Sequence, residues 1–231
     1  MSVSARIDQE LAAYFVNDQS FPSVTLEENN DSMADVADYG LRIELKHSRL
    51  ASSMGEKLVL RKNVCERLAQ AQKNLSQHIP GYQLALVHAY QAPNDQRSSF
   101  EKAKKELGFF GRTNLETLTR IYSSIATSDT SGHSTGGAVD LLIVNAQGVP
   151  LDFGTEMHAL GQNSHAYSSF ISDTAAVNRK LLRCIMQEAG FAPYDNEWWH
   201  FSYGDREWAS YYGEKIAFYG GLEAEKVTLA C

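Results

Sequence analysis

Two short motifs in this sequence carry side chains that bind metal ions and transfer protons. SGHSTGGAVD contains His133 and Asp140, seven positions apart around a Gly-Gly pair. NEWWHF, further along the chain, contains Glu197 and His200, three positions apart. A catalytic zinc site takes three protein ligands of these types and leaves a fourth position for water. His133, Asp140 and His200 supply such a set.

The two carboxylates have different expected roles. Asp140 lies in the apolar strand pattern AVDLLIV, where a bound cation would offset the cost of burying an unpaired carboxylate. Glu197 is left over as a non-ligand carboxylate, which in zinc hydrolases takes a proton from the metal-activated water. Spacing alone leaves a second interpretation open, in which these are unrelated structural residues.

The other five histidines have no such neighbours in the sequence. We expect structural or surface roles for them, with the two in EMHALGQNSH on a surface loop near the site. These five are His47, His78, His88, His158 and His165.

Composition argues against two classes of partner. The 231 residues are 43% hydrophobic and 21% charged, which suits a globular protein with a buried core. The formal net charge of -7 argues against nucleic-acid binding, which needs clustered Lys and Arg. No stretch approaches the roughly 18 apolar residues of a membrane span. Without a secretory signal pattern, and with three scattered cysteines, we expect a cytoplasmic protein with no membrane partner.

Hydrophobic periodicity places the motifs on a mixed set of elements. Strands are predicted for YGLRIELK from Tyr39, for YQLALVHAY, for AVDLLIV and for FAPYDNEWWHFSY as the last strand. Helices are predicted for EKLVLRKNVCERLAQAQKNLSQH and for DTAAVNRKLLRCIMQEAG, with a mixed helical pattern over 99–127. The second helix is expected to be capped by Asp173 or Thr174, to end at Gly190, and to have Val177 and Cys184 in its apolar stripe.

These elements mix without a regular strand–helix–strand rhythm, which predicts an α+β fold. We expect a single compact domain over 1–231, with a central, mostly antiparallel sheet flanked by helices. Residues 1–50 form a polar N-terminal segment that the pattern does not assign.

The two motifs resemble the zinc D-Ala-D-Ala peptidases, most closely the VanX-type D-alanyl-D-alanine dipeptidases. The family pattern is Ser-x-His-x-x-Gly-x-Ala-x-Asp followed by Glu-x-Trp-His, and the resemblance runs from about residue 80 to 205. The matching residues are Ser131, His133, Gly136, Ala138, Asp140, Glu197, Trp199 and His200.

The resemblance implies one Zn²⁺ per chain, held by His133, Asp140 and His200. It implies that Glu197 is the catalytic base and later the proton donor. The implied fold is the hedgehog/DD-peptidase-like α+β domain, and Ser131 is expected to contact substrate.

The sequence departs from the family in an upstream loop. The family has Tyr-Arg followed by Gln, and AYQAPNDQ keeps Tyr90 and Gln96 but has Gln91 at the arginine position. A neutral amide can donate a hydrogen bond to a developing oxyanion, but without the charge that strengthens it. Gln91 or Arg97 is expected to assist there, and Tyr90 to contact substrate.

A second departure concerns the substrate's amine. The dipeptidases carry an aspartate after a Gly-Ser/Thr turn that pairs with the free amine, and FGTEMHAL has His158 at that position. Glu156 lies nearby and is the expected substitute.

The expected function is zinc-dependent hydrolysis of a small D-amino-acid dipeptide, with D-Ala-D-Ala as the first candidate, and the resemblance associates it with peptidoglycan and the cell wall. Two alternatives stay open: a D,D-carboxypeptidase or endolysin-like peptidoglycan peptidase, and a zinc-binding module without catalysis. The expected partner is the small dipeptide substrate, and the oligomeric state is not readable.

Overall fold

A computed structural model describes residues 24–47, 57–95, 97–98, 131–159, 161–227 and 229. The helical pattern predicted over 99–127 and the loop residue Gln96 lie outside the described residues, so those predictions are not tested. None of the helices within the described ranges could span a bilayer.

The elements whose bounds lie within the described residues are nine strands and three α-helices, in a mixed order. The strands are β1 (Thr25–Leu26), β2 (Met33–Asp35), β3 (Arg42–Ile43), β4 (Val59–Arg61), β5 (Gln83–His88), β6 (Ala138–Val144), β7 (Ala192–Tyr194), β8 (Glu197–Ser202) and β9 (Ile216–Ala217). The helices are α1 (Lys62–His78), α2 (Asp173–Glu188) and α3 (Arg206–Tyr212).

The central sheet has five strands in the order β3-β5-β6-β8-β7. Only the β3–β5 pair is parallel, and the other three pairs are antiparallel. The described chain adds two small pairs, β2 with β4 and β1 with β9. The predicted α+β class and the mostly antiparallel central sheet are confirmed, while the extent of the domain over 1–231 stays a prediction.

The first predicted helix begins later than its sequence pattern indicates. Val59–Arg61 forms β4, which pairs antiparallel with Met33–Asp35, and the helix starts at Lys62. Leu58, Val59 and Leu60 are all buried. A run buried on both faces suits a strand between core layers better than the one-sided stripe of a helix.

Helix α2 lies where the sequence pattern predicts it, but its N-cap residue and its buried face differ from the prediction. Ser172, rather than Asp173 or Thr174, is the N-cap and accepts from the Ala175 amide at 3.1 Å. Gly190 follows the helix with a left-handed φ of 88°, as predicted.

The apolar stripe predicted for α2 is wrong at Val177 and Cys184. Val177 is 65% exposed and Cys184 is exposed, while Arg179 is only 3% exposed. The Arg179 guanidinium donates to the carbonyl oxygens of three residues at 2.6–2.8 Å: Phe153, Asn163 and His165. A buried arginine satisfied by carbonyl groups turns the helix away from the face that apolar residues alone predict.

Two predicted strands also differ from those in the structure. YGLRIELK contributes only Arg42–Ile43 to the sheet, because Val36–Tyr39 forms a 3-10 turn. FAPYDNEWWHFSY splits into a hairpin of β7 and β8, and it is not the last strand because β9 follows α3. The hairpin turn at Asp195-Asn196 interrupts the aromatic run.

Candidate metal centre

Strand register places the site residues in one row across the sheet. His88 on β5 lies opposite Asp140 on β6, and Asp140 lies opposite His200 on β8. Directly opposed residues project from the same face of a sheet. His133 enters from the 3-10 turn Gly132–Thr135, with its ring centroid 4.5 Å from that of His88 and 4.8 Å from that of His200.

Two glycines permit the tight return between His133 and β6. Gly136 has a left-handed φ of 73°, which L side chains rarely adopt. A Cβ on Gly137 would lie 2.5 Å from the carbonyl oxygen of Tyr203, too close for any side chain. The Gly-Gly pair therefore allows the first two ligands of the motif to meet.

The three predicted ligands offer atoms that converge on one point. Oδ1 of Asp140 lies 2.9 Å from Nδ1 of His200 and 3.4 Å from Nε2 of His133. One ligand atom from each residue lies within 4.8 Å of the other two, and the residues are 2–8% exposed. Two imidazole nitrogens and a carboxylate oxygen, drawn from distant parts of the chain, fit a catalytic zinc ion.

The tautomer of His133 suits metal binding. Its Nδ1 lies 2.8 Å from the carbonyl oxygen of Ala89, which only accepts, so Nδ1 carries the hydrogen. The lone pair is then on Nε2, the atom that faces Asp140. Such an outer hydrogen bond is the usual way proteins orient a histidine ligand.

Two further residues contact the ligands from outside. His158 Nε2 lies 3.0 Å from Oδ2 of Asp140, and Glu207 Oε2 lies 3.6 Å from Nε2 of His200. The expected surface role of His158 is wrong, because its side chain is 14% exposed and lies against a ligand. The prediction that His88 lacks site neighbours is also wrong. His165 is exposed, as expected.

The sequence carries little signal for these additions. His158 reaches Asp140 through a loop whose path no periodicity predicts. His88 ends a predicted strand, but its partner across the sheet depends on the register. Glu207 lies near the start of α3, an element that the sequence analysis did not predict.

Charges in the cluster shift the pKa values of its members in opposite directions. Burial acts to raise the pKa of Asp140, but the histidines around it, His133 first, outweigh burial and hold the pKa well below its usual value. Burial acts to lower the pKa of His200, but the carboxylates of Glu207 and Asp140 raise it well above 6.5. Burial lowers the pKa of His88 to about 3, so His88 is neutral.

Glu197 begins β8, three residues before His200. Burial raises the pKa of Glu197 to about 8, with further contributions from the charges of Asp140 and Glu207 and an opposing one from His200. A cation at the ligands would stabilise the ionised form and lower this pKa. In the metal-free protein Glu197 is thus a carboxyl group with a raised pKa, a property that general acid–base residues often share.

The other predicted site residues lie around the cluster in different ways. The backbone N–H of Gln91 donates to the carbonyl oxygen of His133 at 3.2 Å, and the Gln91 side chain is fully buried. The Tyr90 hydroxyl donates to the carbonyl of Leu222 at 2.6 Å, which gives the phenol a structural partner. Ser131 is buried, and its carbonyl accepts from the amide and hydroxyl of Ser134. A substrate contact by Tyr90 or Ser131 stays a prediction.

Glu156 and Arg97 are both exposed. Glu156 lies on the wall of a cleft of about 370 Å³. Leu142 and Trp198, which also line this cleft, are each two residues from a ligand along β6 and β8, so they project from the ligand-bearing face. The three predicted ligands and Glu197 do not line this cleft.

Comparison with known proteins assigns the chain to a family. The model of the peptidase M15 family, D-Ala-D-Ala dipeptidase, matches residues 36–217. The D-alanyl-D-alanine dipeptidase of Synechocystis sp. is 30% identical, over 71% of this chain and 79% of that protein. The enzymes of the same name from Escherichia coli and Enterococcus faecium are 41% and 33% identical, over only 37% and 47% of their lengths.

Solved structures give lower similarity. The LdcB LD-carboxypeptidase is 20% identical, with a TM-score of 0.43, over 76% of this chain and 69% of that one. The VanY D,D-pentapeptidase, solved with Zn(II), is 16% identical, with a TM-score of 0.43, over 84% of this chain and 96% of that one.

The buried His-Asp-His cluster is a ligand set typical of zinc-dependent hydrolases. Within that class, this chain belongs to the peptidase M15 family of D-Ala-D-Ala dipeptidases.

Proposed function

We propose that this protein hydrolyses a small D-amino-acid dipeptide, with D-Ala-D-Ala as the first candidate, by means of one zinc ion per chain. The observation that carries the proposal is the convergence of His133 Nε2, Asp140 Oδ1 and His200 Nδ1 on one point. Glu197 lies three residues before His200 on the same strand. The names of the curated relatives support this substrate. A cytoplasmic location stays a prediction.

The chemistry divides between the ion and the chain. A zinc ion held by these ligands would polarise the scissile carbonyl and lower the pKa of water. Glu197 takes a proton from the attacking water as the new C–O bond forms. It returns that proton to the leaving nitrogen as the peptide C–N bond breaks, which gives one free amino acid from each half of the dipeptide.

Gln91 and Glu156 would contribute to substrate binding. Gln91, at the position of the family arginine, would donate an uncharged hydrogen bond to the developing oxyanion, a weaker contribution than that of a guanidinium. Glu156, on the wall of a cleft that Leu142 and Trp198 also line, would accept from the substrate's ammonium group.

Metal analysis combined with a dipeptide panel tests the proposal. The purified protein should carry about one zinc per chain and hydrolyse D-Ala-D-Ala faster than the L,L and mixed isomers. An acylated D-Ala-D-Ala tripeptide is the comparison substrate for carboxypeptidase activity. Faster cleavage of that tripeptide would replace the proposed reaction with the carboxypeptidase one, and zinc binding without any cleavage would favour a binding module.

A further inference from the structure

The two carboxylate oxygens of Asp140 have different neighbours. Oδ1 lies 2.9 Å from Nδ1 of His200 and 3.4 Å from Nε2 of His133. Oδ2 lies 3.0 Å from Nε2 of His158. Because a carboxylate only accepts, the short contact with His158 requires that Nε2 carry the hydrogen and donate it. One oxygen thus faces the other ligands, and the other oxygen already has a donor.

His158 stands outside the ligand set. Among the described residues, the side chains whose ligand atoms all lie within 4.8 Å of one another are His133, Asp140 and His200. A nitrogen that donates its hydrogen to Oδ2 has no lone pair left for a metal ion. The contact geometry is therefore that of a residue that orients a ligand.

The surrounding chain holds the imidazole in place. His158 has a left-handed φ of 58°, an uncommon conformation for a residue with a side chain. Its neighbour Met157 is 4% exposed, and Thr155 Oγ1 accepts from the indole Nε1 of Trp198 at 2.9 Å. The ring of Trp199 lies edge-on to the imidazole at 5.5 Å. Packing on both sides maintains a backbone conformation that costs free energy.

We propose that His158 is a positioning residue that makes Asp140 a one-oxygen metal ligand. Its Nε2–H holds Oδ2 away from the metal position and leaves Oδ1 to bind. Without this donor the carboxylate can turn and bind through both oxygens, taking a position that water or substrate requires. The inference rests on the metal site of the proposed function.

Two amide substitutions separate the donor from the rest of the side chain. The amide nitrogen of glutamine can reach the position of Nε2, while that of asparagine is one bond shorter and corresponds to Nδ1. His158→Gln should therefore preserve the hydrogen bond and His158→Asn should remove it. Asparagine tolerates the left-handed backbone, which favours correct folding of the more disruptive variant. His165→Asn is the matched control, because His165 is an exposed histidine seven residues further on.

The first measurement is zinc affinity by competition with a chromophoric chelator at a fixed pH of 8. His158→Asn should bind zinc about 10- to 100-fold more weakly, the usual loss when an outer partner is removed. The zinc affinity of His158→Gln should stay within about threefold of the wild-type affinity, and that of His165→Asn should be unchanged. Wild-type affinity in His158→Asn would overturn the inference.

The second measurement is the visible spectrum of the cobalt-substituted proteins. Four-coordinate Co(II) absorbs more strongly than five- or six-coordinate Co(II), so a second Asp140 oxygen should weaken the bands of His158→Asn. The bands of His158→Gln should match the wild type. If both variants give the wild-type spectrum, Asp140 does not depend on His158.

A measurement on the wild-type protein covers the case in which His158→Asn fails to fold. Nitrogen-15 spectra of the histidine rings in the zinc-loaded protein should give a protonated Nε2 for His158. A metal-bound or unprotonated Nε2 would overturn the inference. A wild-type protein that binds zinc but cleaves no dipeptide would overturn only the proposed function, because neither affinity nor spectra depend on turnover.

Discussion

Asp140 and His200 lie directly opposite each other on neighbouring antiparallel strands, with Oδ1 2.9 Å from Nδ1. The register of β6 and β8 produces this contact. A slip of one residue would move one of the two side chains to the other face of the sheet and separate the ligands. The metal site and the central sheet are thus specified together.

Replacement of Glu197 by Gln should separate metal binding from catalysis. The amide keeps the size of the side chain but can neither accept the proton from water nor return it to the leaving nitrogen. We therefore expect kcat to fall by about 10³-fold or more, the scale of a lost acid–base group. Zinc content should stay at the wild-type level. Glu214→Gln, at an exposed position, is the control. Unchanged turnover in Glu197→Gln would remove Glu197 from the mechanism.

Zinc affinity should rise as the pH increases through the neutral range. The carboxylates of Glu207 and Asp140 raise the pKa of His200 well above 6.5 in the metal-free protein. His200 therefore holds a proton near neutral pH, and zinc must displace it. Lower pH strengthens the competition from protons and weakens zinc binding. Calorimetry in buffers of different ionisation enthalpy should record proton release, and an affinity independent of pH would contradict this assignment.

Glu207→Gln should flatten that pH dependence. The substitution removes a negative charge 3.6 Å from His200 Nε2, which lowers the pKa of His200 in the metal-free protein. Fewer protons then compete with zinc between pH 6.5 and 8. Chelator competition across this range measures the effect, and Glu214→Gln should reproduce the wild-type slope. A steeper pH dependence of zinc affinity in Glu207→Gln would contradict the inference that Glu207 raises the pKa of His200.

The two described cysteines should differ sharply in reactivity. Burial, with the charge of Asp31 next, raises the pKa of Cys65 to about 12, so its thiol stays protonated and inaccessible at pH 8. Cys184 is exposed. In a Cys231→Ser background, a disulfide reagent should label one thiol in the native protein and two after unfolding. Loss of the fast phase in Cys184→Ser identifies the residue, and native labelling of Cys65 would be inconsistent with its burial.

Arg179 should be a major contributor to stability. Its guanidinium is buried and satisfies three backbone carbonyls in the segments that precede α2. Arg179→Met leaves those carbonyls without this donor, and we expect a loss of about 2–5 kcal/mol in the free energy of unfolding, from the cost of unsatisfied buried groups. Denaturant titration measures the loss. Lys180→Met, at the exposed adjacent position, should change stability by less than about 0.5 kcal/mol.

The sequence by itself predicted the candidate ligands, because the two motifs carry the residue types that a zinc hydrolase needs. It also determined the α+β class and most elements that bear those motifs, since periodicity is a local property of the chain. Three things depended on tertiary structure: the row of His88, Asp140 and His200, the contact of His158 with Asp140, and the burial of Arg179. The physical reason is that strand register, loop path and satisfaction of buried polar groups are settled between distant segments, where local pattern carries no information.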